Sequence, residues 1–285
     1  MRDGTHKLSS EIIERLIYSI GRKILMRKRP HESMMLISII IIPILFSCAS
    51  IQFYNERGYK QRGIAYGKKG QYDEAIYDLT KALKINPRDA EAYYSRGLSY
   101  YHKGQCYQAI SDYTKAQGQY YTAISDYTKA LEIDPRYASA YYNRGLAYCL
   151  TYQYDRAISD FTKALEIDPR DAKAYCGRGV AFVDKRQHDQ AISDFTKALE
   201  INPRDAVAYY NRGNVYDEKG QPDQAISDYN KALEINPRYM EAYNNRGVTY
   251  RKKGQYDQAI SDLTKALEID PGEGSSILIV DGYII

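Results

Sequence analysis

An eight-residue motif, Tyr-x-x-Arg-Gly-x-x-aromatic, recurs six times along this 285-residue chain. All but one of the intervals between successive motif glycines are 34 residues, and the exception is 48. The glycines are Gly63, Gly97, Gly145, Gly179, Gly213 and Gly247. A fixed period of this length indicates stacked copies of one helical unit, because a single copy is too small to bury its apolar face alone. The motif therefore predicts one elongated array over residues 56–273, in place of two compact domains.

Within one copy, the spacing of apolar and small residues predicts two helices. In residues 206–239 the first helix is predicted over 206–219 and the second over 223–235, since each places its Tyr, Gly and Ala residues on one helical face. Gly220 and Gln221 predict the turn between them. Pro237 ends the second helix, because proline cannot continue a helix and disfavours helical backbone just before itself.

Aromatic, Gly, aromatic, Ala, aromatic, Ala and Pro at these fixed offsets resemble the tetratricopeptide repeat family, with Tyr in place of the usual Trp. The resemblance implies an all-α, right-handed superhelical solenoid of antiparallel helix pairs, in which first helices line a concave groove and second helices form the convex back. It also implies a non-enzymatic scaffold that binds a partner peptide or helix in that groove. About six repeats are identified, at 56–89, 90–137 (enlarged), 138–171, 172–205, 206–239 and 240–273.

Every copy carries an Arg where the family commonly has Leu, and an Asp in Ala-Ile-x-Asp. Two opposite charges that recur together, each one residue from a core position, predict bidentate pairing between the first and second helices. The alternative is two independently solvated charges. The expected ladder consists of Arg62 with Asp78, Arg96 with Asp112, Arg144 with Asp160, Arg178 with Asp194, Arg212 with Asp228, and Arg246 with Asp262, leaving Asp126 as an extra.

The long interval contains a tandem duplication of 14 residues, 104–117 followed by 118–131. Fourteen residues make about four helical turns, so both copies direct their apolar faces nearly the same way. We favour one long or kinked helix from about residue 106 to 133. The alternative is a break at 117–119 that creates an extra helix. Either arrangement is expected to interrupt the superhelix.

The family resemblance also implies which residues line the groove. Tyr supplies contact area and Asn supplies paired donor and acceptor groups, so both suit peptide recognition. The alternative is that the tyrosines merely pack between neighbouring first helices. The expected groove residues are Lys60, Tyr94, Leu98, Tyr101, Tyr142, Asn143, Leu146, Lys173, Tyr210, Asn211, Asn214, Asn244, Asn245 and Arg251.

No residue pattern points to catalysis, a cofactor or a metal. The four cysteines have neither CxxC spacing nor clustered His, and a disulfide between Cys149 and Cys176 is conceivable only in an oxidising compartment. The formal charge of +4 is already contained in residues 1–47, which carry eight Lys/Arg and four Asp/Glu. The array is therefore neutral, which argues against nucleic-acid binding.

The amino-terminal region has the pattern of an export signal. Residues 26–33 are basic and residues 34–46 are apolar, too short for a typical membrane span. The segment ending at Cys48 resembles a bacterial lipoprotein box, which implies lipidation of Cys48 and an outer-membrane protein facing the periplasm. An uncleaved signal anchor or a soluble periplasmic protein are the alternatives. Residues 1–25 are interpreted as a non-native or disordered extension, and 49–55 as a linker.

Residues 274–285 form an apolar tail in which 277–280 and 283–285 have strand-like composition. A polar capping helix is expected at the end of a repeat array, and none is evident here, so self-association through this end is expected. The preferred function is a membrane-anchored interaction scaffold, with a role in assembling an envelope complex. The alternative is an accessory subunit that presents substrates to a separate enzyme.

Overall fold

The computed structural model describes residues 42–109, 113–270, 279–280 and 283–284, with side-chain surroundings given for 55–105 and 116–270. The described ranges contain helices α1 (Ile42–Lys68), α2 (Tyr72–Ile85), α3 (Ala90–Ala109), α4 (Tyr113–Ile133), α5 (Ala138–Leu150), α6 (Tyr154–Ile167), α7 (Ala172–Asp184), α8 (His188–Ile201), α9 (Ala206–Glu218), α10 (Pro222–Ile235), α11 (Met240–Lys252) and α12 (Tyr256–Ile269). Consecutive helices form six antiparallel pairs, one for each predicted copy. The predicted all-α solenoid is confirmed.

Local sequence sets the helix boundaries. Helices α9 and α10 match the predicted spans to within one residue at each end. The Asp205 side chain caps α9 by accepting from the backbone N–H groups of Val207 and Ala208. Pro222 occupies the first turn of α10, where no backbone N–H is needed for a helical hydrogen bond.

In the five helix pairs whose turn is described, the turn contains a residue in the left-handed backbone region. Gly70, Gly220 and Gly254 occupy it with φ of 69–76°, as suits a residue without a Cβ. The third and fourth repeats place Tyr152 (φ 60°) and Arg186 (φ 58°) there instead. A non-glycine residue in this conformation costs about 1–2 kcal/mol, so these two turns are held in place by the packing of the helices they connect.

The core lies between the two helices of each pair, where a motif glycine faces an aromatic or leucine side chain. A Cβ built on Gly213 would lie 2.8 Å from Cε1 of Tyr229, and one on Gly145 would lie 2.9 Å from Cε1 of Phe161. Such distances are too short for any side chain. The recurrent glycine is thus required for close approach of the two helices.

The duplicated segment is divided between two helices, so the predicted single helix over 106–133 is wrong. Helix α3 runs on to Ala109 and α4 begins at Tyr113. Gly104 lies inside α3, where an added Cβ would meet the Tyr120 ring of α4 at 2.6 Å. Tyr101 and Tyr120 are buried at 7% and 1% exposure. The helical turns that the duplication adds to α3 and α4 thus pack against each other and bury their apolar side chains. One long protruding helix would have left those side chains exposed to water.

The expected interruption of the superhelix is also wrong. Helix α5 packs on α4 through Ala130, Leu131 and Ala140. The same Ala-Leu-Ala contact recurs between later repeats, at 164, 165 and 174 and at 232, 233 and 242. Stacking therefore continues past the enlarged repeat, because the duplication lengthens the helix pair at its turn end and leaves the contact with the next repeat unchanged.

At the amino end, α1 begins at Ile42 and contains residues 49–55, which are helical and not the expected linker. Residues 1–41 lie outside the described part, so the predicted signal segment and the extension before it are not addressed; of Cys48 only the helical backbone is described. None of the helices in the described ranges combines the length and the apolar character needed to cross a membrane.

At the carboxyl end, β1 (Ile279–Val280) and β2 (Tyr283–Ile284) pair antiparallel, with Ile279 opposite Ile284. These two short strands lie within the residues whose composition is strand-like. The remaining residues of the tail fall outside the described ranges.

Candidate interaction groove and repeat junctions

An Arg–Asp pair joins the two helices in every repeat. The Arg Nε and Nη2 atoms donate to the two carboxylate oxygens of one Asp over 2.5–2.8 Å. The six aspartates are only 2–6% exposed. Bidentate geometry of this kind fixes orientation as well as charge. The pairs are Arg62–Asp78, Arg96–Asp126, Arg144–Asp160, Arg178–Asp194, Arg212–Asp228 and Arg246–Asp262.

The assignment of Arg96 to Asp112 is therefore corrected. Arg96 donates to Asp126, which sequence analysis had treated as the extra carboxylate. The cause is the division of the duplicated segment: the second copy supplies the part of α4 that faces the motif arginine. Asp112 itself lies outside the described residues.

The third guanidinium nitrogen connects neighbouring repeats, a contact that sequence analysis missed. Nη1 of each ladder arginine except Arg62 donates to a polar side chain on the second helix of the preceding repeat. The contacts are Arg96–Thr80, Arg144–Thr128 and Arg178–Thr162 at 3.0 Å, Arg212–Thr196 at 2.9 Å, and Arg246–Asn230. The signal in the sequence was a Thr or Asn 16 residues before each Arg. Each of these arginines thus joins three helices.

Aromatic rings and burial complete the environment of the ladder. The guanidinium carbon lies 5.4–5.7 Å from the ring centre of the Tyr three residues earlier in all six repeats, within the range of cation–π attraction. Burial raises the pKa of Asp126 and Asp160, and the bonds from Arg96 and Arg144 oppose that rise. Each arginine therefore offsets part of the effect that burial has on its carboxyl group.

Several predicted groove residues are bonded to one another across repeats. The Asn143 side chain donates to Tyr94 Oη over 3.1 Å. Asn245 donates to Tyr210 Oη over 3.0 Å and to Asn214 Oδ1 over 2.9 Å. These five side chains therefore contribute to the stacking of repeats, as the alternative interpretation of the tyrosines holds.

The other predicted groove residues differ in how accessible their side chains are to a bound peptide. Tyr101 is buried in the core, and Lys60 forms ion pairs with Asp89 at 2.9 Å and Glu91 at 3.1 Å. Lys173 and Arg251 are exposed. Leu98, Tyr142, Leu146, Asn211 and Asn244 are half-buried, as are the five side chains bonded across repeats.

An open cavity of about 490 Å³ lies between α1 and α3. Its apolar surface comes from Ile64 and Leu98, and its aromatic walls come from Tyr72, Tyr94 and Tyr137. Of the predicted groove residues, Tyr94 and Leu98 line it. Its polar lining comes from Lys68, Glu91, Ser95, Ser99 and His102.

The cavity is open in part because Gly67 of α1 has no side chain at this face. Gly63 and Gly67 both line it, one helical turn apart. A Cβ on Gly67 would make only an ordinary contact, 3.4 Å from Ser99 Oγ. The corresponding positions in the next two repeats are Tyr101 and Cys149. This site was not predicted from the sequence, although a glycine at a groove-lining position was the available signal.

Two thiols lie along the middle of the array. Cys149 and Cys176 are free and half-buried, so the conceivable disulfide between them is not formed. Burial, with a smaller contribution from nearby carboxylates, raises the pKa of each thiol to about 12. Among the described residues, no group of His, Cys, Asp and Glu is arranged to hold a metal ion.

Comparison with known proteins agrees with this architecture. The family model for the Tetratricopeptide repeat matches residues 138–171, 172–205, 206–239 and 241–273, and a second model, TPR repeat, matches 63–104 and 108–150. No curated protein matched the chain.

Solved structures of repeat proteins are similar to this chain as well. A crystal structure of MamA is 32% identical, with a TM-score of 0.53, over 58% of this chain and 97% of that one. A structure of YrrB, described as a TPR protein with an unusual peptide-binding site, is 28% identical, with a TM-score of 0.50, over 68% and 93%. PilF from Pseudomonas aeruginosa shares the fold at 19% identity, with a TM-score of 0.61, over 78% and 94%.

Proposed function

The chain belongs to the tetratricopeptide repeat family, and we propose that this interaction scaffold binds an extended peptide segment of a partner protein in the cavity between α1 and α3. The family supports protein–protein interaction as the general role. The cavity is the observation that supports a peptide at this particular place.

The dimensions and chemistry of the cavity suit one or two apolar side chains of a peptide. A volume of about 490 Å³ falls within the range of small-ligand sites, which are about 300–1,000 Å³ and mainly apolar with a few polar groups. Ile64 and Leu98 supply the apolar contact, while Ser95 and His102 in the lining can bond to peptide backbone groups. Lys68 and Glu91 add both signs of charge to the lining, so the favoured peptide is apolar at its anchor and carries no large net charge.

The resemblance to YrrB supports the same class of ligand. That protein is described as having an unusual peptide-binding site, and it shares the stacked helix pairs that create a concave face. In the present chain the tyrosine and asparagine positions farther along this face are occupied with one another. The cavity at the first junction is accordingly the better site.

The proposal can be tested by selecting displayed random peptides on the purified protein and measuring their affinity by fluorescence anisotropy. The substitution Gly67→Leu fills the cavity and should abolish binding of the selected peptides. Gly118→Leu is the matched control, since Gly118 is exposed within α4 with no atom within 4 Å of an added Cβ. Peptides that bind Gly67→Leu as tightly as wild type would place the site elsewhere.

We further propose that the scaffold is held at the bacterial envelope through a lipid on Cys48, and that it serves assembly of an envelope complex. The basic and apolar residues before Cys48 support this, and two or more acyl chains hold a protein at a membrane far more firmly than one. Cell fractionation with labelled fatty acid tests the anchor. A Cys48→Ala protein should lose the label and leave the membrane fraction; one that keeps both would refute lipidation at this residue.

A further inference from the structure

The two ends of the repeat array carry the two halves of the contact that joins neighbouring repeats. We propose that a second copy of this chain stacks head to tail, with α1 of one molecule on α12 of another, so that the junction seen five times within the molecule forms once more between molecules. Sequence on either side of the array, 1–41 and 271–285, contains no further copy of the Tyr-x-x-Arg-Gly motif.

The first half is the arginine at the amino end. Arg62 pairs with Asp78 as the others do with their aspartates, but its side chain is 56% exposed, against 15–20% for the other five ladder arginines. The difference arises because, among the described residues, no helix pair precedes α1 to cover it. Among the described residues, Arg62 Nη1 has no acceptor of the kind that Thr80 provides for Arg96.

The second half is the outer face of α12. Thr264 occupies the position of Thr80, Thr128, Thr162 and Thr196, yet it is exposed where they are half-buried. Leu267 is only half-buried, whereas its counterparts in the five earlier repeats are 6–7% exposed. The counterparts of Leu267 are covered by the first helix of the following repeat. Thr264 and Leu267 thus form the surface on which a seventh first helix would pack.

A second pair of contacts follows the same pattern. At four of the five junctions a Lys at the end of a first helix forms an ion pair with an Asp at the start of the second helix of the preceding repeat: Lys103–Asp73, Lys185–Asp155, Lys219–Asp189 and Lys253–Asp223. The equivalent residues at the two ends are Lys69 and Asp257. Both are exposed, and neither is paired with a charged group of the described residues.

The register of the two half-contacts agrees. Arg62 and Lys69 are seven residues apart, as are Asp257 and Thr264, and the same spacing separates Arg178 from Lys185. One docking position can therefore satisfy both contacts. Gly58 stands where the later first helices have a fully buried Ala, and no atom lies within 4 Å of a Cβ added to it, so nothing on α1 obstructs the approach.

Such an interface joins different surfaces of the two copies, so it leaves a free end on each side and can add further molecules. The test uses sedimentation velocity of the full chain in one non-ionic detergent over a series of concentrations. Gly58→Glu blocks the amino-end face by placing a charge where a buried Ala belongs. Thr264→Arg blocks the carboxyl-end face by opposing Arg62. Gly118→Glu is the control for added charge at an exposed glycine.

The expected result is a wild-type mass that rises with concentration, as it does for Gly118→Glu, whereas each blocked variant remains a monomer. Because each blocked variant keeps one intact face, an equimolar mixture of the two should give a dimer and nothing larger. A monomeric wild type, continued self-association of either blocked variant, or a mixture without dimer would overturn the proposal. If removing residues 271–285 converts a monomeric wild type into one that associates, the tail occupies α12 in place of a second copy.

Discussion

Replacing Thr162 by Val should loosen the junction between the third and fourth repeats without disturbing either helix pair. The Thr162 hydroxyl accepts a 3.0 Å hydrogen bond from Nη1 of Arg178. Valine has nearly the same shape and the same branching at Cβ, so helix propensity and packing change little. The perturbation is confined to the hydroxyl.

The expected cost follows from the burial of the donor. A hydrogen bond to a charged group contributes about 1.5–3 kcal/mol. The Arg178 side chain is 20% exposed, so water can partly replace the lost acceptor, and about 1–2 kcal/mol should remain. For a chain of this size, each kcal/mol corresponds to roughly 2–4 °C in the midpoint of thermal unfolding.

The measurement is urea unfolding followed by far-ultraviolet circular dichroism, in solution dilute enough to exclude self-association. Thr264→Val is the matched control, because Thr264 lies in the same Thr-Lys-Ala-Leu-Glu sequence but has no following repeat to supply an arginine. It should unfold as wild type does. Equal losses in the two variants would show that the stability comes from the threonine within its own helix and would refute the role of the arginine.

Three further predictions concern the ladder, the turns and the thiols. Asp194→Ala should cost about 3–5 kcal/mol because it strands a largely buried guanidinium, whereas Asp78→Ala should cost less because Arg62 is 56% exposed; an unchanged midpoint for Asp194→Ala would contradict the ladder. Arg186→Gly should raise the free energy of unfolding by about 1 kcal/mol by relieving a left-handed residue, and a loss in the same urea assay would contradict this. Cys149 and Cys176, with thiol pKa raised to about 12, should alkylate on the order of 10³-fold more slowly at pH 8 than an exposed thiol, since the thiolate is the reactive form; peptide mass spectrometry reads each site, and ordinary rates would contradict the burial.

Local pattern was sufficient to predict the helix pairs and the ladder arginines. Tyr209, Gly213 and Tyr216 are spaced i, i+4 and i+7, which places them on one helical face, and α9 spans all three. The pairing of Arg178 with Asp194 could be predicted because both charges recur beside core positions in every copy. The partner of Arg96 could not, since two equivalent aspartates were available and the choice depended on where the duplicated segment turns.

The candidate site was predicted in part. Tyr94 and Leu98 line the cavity, but Tyr210, Asn214 and Asn245 bond to one another. The residue type determines which hydrogen bonds a side chain can form. Whether those bonds are formed within the chain or stay open to a ligand depends on the side chains of the neighbouring repeat. The cavity itself depends on the missing side chain of Gly67, and residue types that suit binding do not point to a glycine.

The sequence alone determined the unit of this protein, its number of copies and the face that each helix buries, because period and apolar spacing are local properties of the chain. Tertiary structure decided the division of the duplicated segment between α3 and α4, and the choice of Thr162 and its equivalents as inter-repeat acceptors. Both depend on contacts between residues of separate helices, whose energies are set by relative position and burial. The exposure of Arg62 and Thr264 was likewise evident only from the structure. Each resembles its counterparts in sequence and differs from them only in lacking an adjacent repeat that packs on it.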